Sequence, residues 1–194
     1  YIDYDLHHKE WMKNNKLYGI LKYDKDKLNN INFNTTGLVR SLIYSNEKIN
    51  VFTPPKSLKN SEFIETYNYN DCQAEEFIEG TMINMFYDKD INVWEFASKS
   101  SVGANVKYFK DQPTFSELFI EICQELQINL ENYNKEYCYS FVMQHPKNKF
   151  VIPIIKKSLY LIAIYKIDND TFNINEISRE KEISNLGNIL LPIK

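Results

Sequence analysis

Apolar and polar positions alternate along most of this chain, with one stretch of helical period between the alternating blocks. Leu38–Tyr44 and Ile49–Thr53 are apolar-rich runs joined by Ser45-Asn46-Glu47-Lys48, the pattern of a hairpin. Pro54-Pro55 stops the second run, because neither proline can donate to a ladder. Residues 57–73 are polar and read as a connection with a short turn or helix. Glu75–Phe86, interrupted by Gly80, and Val93–Ala97 form a second pair around the turn chemistry of Asp88-Lys89-Asp90. Ser98–Asn105 is small and polar, a loop. Tyr137–Gln144, Phe150–Ile155 and Ser158–Ile167 predict a three-strand meander, joined by residues 145–149 and by Lys156-Lys157. Leu159–Tyr165 is nearly continuous apolar, as expected of a central strand. Thr171–Ile174 reads as one more short strand.

The helical block is Thr114–Leu130. Phe115, Leu118, Phe119, Ile122, Cys123 and Leu126 fall on one face, and Thr114 with Glu117 makes a capping-box signature. Its apolar face predicts packing on a sheet and nothing more. Leu6–Leu17 suggests a short helix, although His7, His8, Asn14 and Asn15 break its apolar stripe. Residues 1–36 therefore read as a lead-in and 37–194 as the main domain. Hairpins, one helix, then a meander give an α+β fold with mainly antiparallel sheets. No G-x-G-x-x-G or G-x-x-x-x-G-K-[ST] occurs, so the usual dinucleotide and P-loop readings are out.

Composition narrows the function classes. At 194 residues the chain is long enough for one domain with a real core. Lys+Arg is 23 and Asp+Glu is 26, a formal charge of −3, so a nucleic-acid site has to be a local patch. No apolar run reaches the roughly 18–20 residues of a membrane helix. Three cysteines, none in a C-x-x-C pair, fit a reducing, intracellular (cytoplasmic) setting. Residue 1 is Tyr, which suggests a piece of something longer. Cys72, Cys123 and Cys138 read as structural thiols, and His7, His8 and His145 as surface histidines without zinc spacing. Lysine replaces arginine almost everywhere. Only Arg40 and Arg179 remain, which draws attention to Arg40.

Arg40, Lys56, Glu79, Gly80 and Lys99 each lie at the end of a predicted strand. If they converge on one sheet face they make a pocket for an anionic ligand, with basic side chains for phosphate and a glycine for close approach. The competing reading is scattered surface charge.

Read against known motifs, residues 37–167 resemble the nucleotidyltransferase domain of phage-type RNA ligases, the group that repairs broken tRNA. Val39-Arg40-Ser41-Leu42-Ile43-Tyr44 resembles the family's A-R-G-I strand. Thr53-Pro54-Pro55-Lys56-Ser57 resembles the segment ending in K-F-F-N, and Phe77-Ile78-Glu79-Gly80-Thr81 resembles the nucleotidyl-transfer motif K-x-D-G-S. Phe96-Ala97-Ser98-Lys99-Ser100-Ser101 is similar to the later K-S-K-G-S strand. The stretch from Phe141 resembles F-E-F-V-x-P-x-N-R-I-V-I, with Pro146, Asn148 and Val151 matching.

The resemblance implies a nucleotidyltransferase fold of ATP-grasp-like type, ATP and Mg²⁺ as cofactors, and a nucleotide or RNA end as partner. It carries nucleotide contact to Arg40, triphosphate approach to Lys56, and a further contact to Lys99. It also implies a viral or phage source. The departures are chemical. The family's nucleophilic lysine falls on Phe77, which has no nucleophile to carry AMP. The glutamate of F-E-F falls on Val142. Neither E-G-hydrophobic nor K-x-K follows residue 167, as in a degenerate or C-terminally truncated domain. Three functions follow from this: a catalytically degenerate module that binds a nucleotide or RNA end; an active RNA ligase using Lys56 or Lys99 instead; or a structural protein that kept the fold without its ligand. No residue is singled out as a metal ligand.

Overall fold

A computed structural model describes residues 5–29, 31–148 and 152–194. The described strands form two antiparallel sheets. The first has the order β1-β2-β3-β4, with β1 Leu6–Lys13, β2 Lys16–Tyr23, β3 Leu42–Ser45 and β4 Lys48–Phe52. The second comprises β5 Thr81–Asp88, β6 Val93–Ser98, β7 Ser101–Val102, β8 Tyr137–Gln144, β9 Ser158–Asp168 and β10 Asn173–Glu176. Its order is β10-β9-β8-β5-β6-β7. Helix α1 spans Asn60–Thr66, α2 spans Phe115–Glu125, and α3 is the single turn Arg179–Glu182. The architecture is α+β with antiparallel sheets and few helices.

The six-stranded sheet is covered on both faces because its strands are apolar on both. Ile83, Met85, Tyr139, Phe141 and Met143 point to α2 and meet Leu118, Phe119 and Ile122. Each such side chain contributes on the order of 1.5–3 kcal/mol when fully buried. Phe86, Ala97, Val102 and Cys138 point the other way and meet Tyr18, Ile20, Ile43 and Val51 of the four-stranded sheet. Three layers result: α2, the large sheet, the small sheet.

Several elements differ from the sequence expectations. Leu6–Leu17 is not a helix: β1 and β2 form a hairpin. Asn14 and Asn15, with φ of +48° and +61°, make the left-handed two-residue turn that closes it. Asn46 and Glu47 close the β3–β4 hairpin with the same pair of angles. β3 starts only at Leu42, after a 3₁₀ turn over Thr36–Leu38. Ser98–Asn105 includes the short strand β7. Of the expected strand Phe150–Ile155, residues 150 and 151 lie outside the described residues, and 152–155 are not strand. β8 pairs directly with β9, so the meander is β8-β9-β10. Leu159–Tyr165 lies in β9, second from the edge rather than central. α2 ends earlier than expected, at Glu125, where Leu126 caps it and Gln127 turns to φ +54°.

Candidate functional site

The antiparallel pairing places the start of β5, the end of β6, the end of β8 and the start of β9 at one end of the large sheet. Four of the five residues singled out in the sequence belong to this end. Glu79 and Gly80 lead into β5, Lys99 sits in the tight β6–β7 turn, and Arg40 precedes β3 on the small sheet.

The Ser98–Ser101 turn is the centre of the arrangement. Ser98 Oγ and Ser101 Oγ are 2.8 Å apart and bonded. Ser41 Oγ donates to the Lys99 carbonyl at 3.0 Å, tying the segment that carries Arg40 to the turn that carries Lys99. The Lys99 ammonium lies 5.5 Å from the centre of the Tyr23 ring. Burial, then Arg40, Lys22 and Lys25, push the Lys99 pKa below its ordinary value. Arg40 is half-buried.

Three further cations converge here that sequence reasoning missed. Lys22 Nζ donates to Ser100 Oγ at 3.1 Å, and Lys9 Nζ donates to the Ser100 carbonyl at 3.3 Å. Lys25 acts electrostatically on Lys99. Lys22 also has a lowered pKa, from burial first and Lys9 second. Among the described residues none of Lys9, Lys22, Lys25, Arg40 and Lys99 forms an ion pair with a carboxylate. Such a group of cations without counter-charge is the electrostatic environment that phosphate occupies.

The other expected residues have more local roles. Lys56 is anchored by its backbone, whose N–H donates to the Gly37 carbonyl at 3.3 Å. Its ammonium bonds the Ser57 carbonyl and lies 6.0 Å from the Phe33 ring centre. It is not among the charges acting on Lys99. The Glu79 carbonyl accepts from Gln144 Nε2 at 2.9 Å. A Cβ at Gly80 would lie 2.5 Å from Val142 Cγ1 and 2.6 Å from the Met143 carbonyl oxygen. The close approach that this glycine permits is therefore to β8. Thr81 and Asn148, both matched by the resemblance, meet each other: Asn148 Nδ2 donates to Thr81 Oγ1 at 2.8 Å inside the protein. Val151 lies outside the described residues.

Phe77 is 91% exposed in an irregular segment and fills no pocket. His145, expected on the surface, is buried at 1% exposure. Its Nδ1 accepts from the Lys147 backbone N–H at 3.0 Å, and its Nε2 faces Glu121 Oε2 at 3.4 Å. Cys123 and Cys138 are desolvated thiols, each pushed up to about 12 by burial.

Two cavities lie away from this end. One of about 450 Å³ lies at the opposite end of the sheets, lined by Lys48, Asp90, Lys135, Lys166 and Asp168 among others. An apolar one of about 310 Å³ lies against α2, between Met85, Phe96, Phe119 and Cys123. Among the described residues, no group of three or more His, Cys, Asp or Glu could hold a metal ion. Nor is any described helix long and apolar enough to cross a membrane.

An RNA ligase of Rhodothermus phage RM378 is 28% identical to this chain over 102 residues, which is 48% of the chain and 23% of the phage protein. The chain is similar to a phage RNA ligase. It spans about a quarter of that relative's length. No protein-family profile matches it.

Proposed function

We propose that this chain is an RNA-ligase-like module of nucleotidyltransferase fold that binds a nucleotide or RNA end at the Ser98–Ser101 turn. Residues 37–194 carry the ligase-like motifs, and the β1–β2 hairpin that precedes them completes the small sheet. Arg40 and Lys99 hold the phosphates, Glu79 and Gly80 shape the start of β5, and Lys56 keeps its own contacts to Gly37 and Ser57. The observation that carries this reading is the meeting of Arg40 and Lys99, from two sheets, with no carboxylate paired to either among the described residues. The relationship to a phage RNA ligase supports it.

The donor set suits the phosphates of ATP. It does not suit a Mg²⁺ held by the protein, because the site is cationic and no group of three or more His, Cys, Asp or Glu gathers among the described residues. ATP supplies a phosphoanhydride that a nucleophile can open. With Phe77 at the lysine position, this chain has no side chain there to receive AMP. The module is accordingly a binding protein derived from a ligase, and its residues orient and retain phosphate.

One observation favours an active alternative. Lys99 lies at the surface, yet local desolvation first and the cations Arg40, Lys22 and Lys25 next lower its pKa, which raises its neutral, nucleophilic fraction. Calorimetry with ATP and a short 5′-phosphorylated RNA separates these readings when joined to intact-mass measurement after incubation with ATP and Mn²⁺. The proposal expects reversible binding, weakened about tenfold in Arg40→Ala or Lys99→Ala, the loss of one charge-assisted contact. A gain of one AMP in mass would establish the active alternative. No binding of either ligand would leave the structural-protein reading.

A further inference from the structure

The inner face of the β1–β2 hairpin is lined with lysines along its length, and the two ends of that hairpin are charged differently. Near the Asn14-Asn15 turn every inward lysine meets carboxylate: Lys13 pairs with Glu95, and Lys16 bonds Asp88 at 2.6 Å and Asp90 at 2.8 Å. At the other end Lys9 and Lys22 meet only a carbonyl and a hydroxyl of Ser100. Register places them on the same face, Lys9 opposite Ile20 and Lys22 opposite His7. Lys25 follows just past β2 and is exposed. Its neighbour Asp24 is occupied by His7 at 3.3 Å. Two of these cations lie over aromatic rings: the Lys9 ammonium is 4.4 Å from the Trp11 ring centre, and that of Lys99 5.5 Å from the Tyr23 ring centre.

We infer that this end of the hairpin is a second anion subsite, in which Lys9, Lys22 and Lys25 hold the backbone of a single-stranded polynucleotide whose terminal phosphate sits at Arg40 and Lys99. This rests on the nucleotide reading above and extends it from one phosphate to a track. Cations beside aromatic rings suit a single strand, whose unstacked bases can lie on the rings while its phosphates meet the ammonium groups. An acidic peptide would use the charges but not the rings. Burial first and neighbouring cations second lower the pKa of Lys22 and Lys99, and entering phosphate offsets the second of these effects.

The test is fluorescence anisotropy with a 5′-phosphorylated single-stranded RNA of about twelve nucleotides, titrated at several salt concentrations, beside AMP and an oligo-glutamate peptide. Each phosphate contact on a single strand contributes about −0.7 to the slope of log K against log salt. The double variant Lys9→Ala/Lys25→Ala should flatten that slope by about 1.4 and weaken the RNA about tenfold more than it weakens AMP. An unchanged slope, or oligo-glutamate binding as tightly as RNA, would overturn the inference. If AMP fails to bind while the RNA binds with the lysine-dependent slope, the track stands and the terminal site at Arg40 and Lys99 fails.

Discussion

Arg179 and Arg40, the two arginines of this lysine-rich chain, occupy opposite environments. Arg179 Nη2 donates to Glu75 Oε1 at 2.6 Å and fastens the C-terminal segment to the stretch before β5. Arg40 forms no ion pair with a carboxylate among the described residues and stands beside Lys99. One arginine is structural and the other is left with charge to give to a ligand. His145 has a third kind of environment. Burial lowers its pKa below the ordinary 6.5, while Glu121 opposes that shift and Lys147 and Lys157 reinforce it. The unfolded chain therefore takes up the proton first. The stability due to neutral His145 is complete above the unfolded value and falls as pH drops through 6.5 toward the folded value. Urea unfolding between about pH 7 and pH 5 should show stability falling in the wild type and a flatter profile in His145→Asn. Equal slopes would show that His145 does not titrate in this window. Glu121, held down to about 2 by Lys157 and Lys147, responds only at more acid pH.

Among the elements, α2 was the most legible in sequence and β1–β2 the least. Helix α2 follows from its 3.6-residue apolar period, and its capping box forms as read: Thr114 Oγ1 accepts from the Glu117 N–H at 3.2 Å, and Glu117 Oε2 accepts from the Thr114 N–H at 2.7 Å. Thr114→Ala should cost about 1 kcal/mol, read as a lower urea midpoint with an unchanged slope. No change would mean that tertiary packing alone fixes this helix start. β8 was equally readable, since Tyr137–Gln144 is apolar on both faces and both faces are covered. The β1–β2 hairpin carries lysines on its inner face, paired with Glu95, Asp88 and Asp90 that lie more than seventy residues away. No local hydrophobic pattern marks such a face. The Asn14-Asn15 turn was the one signal that could have revealed it. For the same reason Arg40 and Lys99 were visible as strand-end cations, whereas Lys9, Lys22 and Lys25 were not. Their role depends on the small sheet folding over the β6–β7 turn.

Across the whole molecule, two sheets enclose a core whose ends differ in charge. At the Asp88 end, lysines and carboxylates are matched, and the Tyr18 hydroxyl donates to Asp88 Oδ2 at 2.6 Å. Burial first and that hydrogen bond second raise the Tyr18 pKa well above the usual phenolic range and keep the hydroxyl protonated. At the Ser98–Ser101 end, five cations gather with no carboxylate paired to them among the described residues. Folding tolerates that concentration of charge because Lys9 and Lys25 are exposed, and a bound anion would relieve it. The central claim, that phosphate binds at this end of the sandwich, is tested most directly by mapping amide chemical shifts during an ATP titration of the whole chain. The account expects the largest shifts at Lys22, Arg40, Ser41, Lys99 and Ser100. Shifts confined to the opposite cavity, around Lys48 and Lys166, or no shifts at saturating ATP, would contradict it.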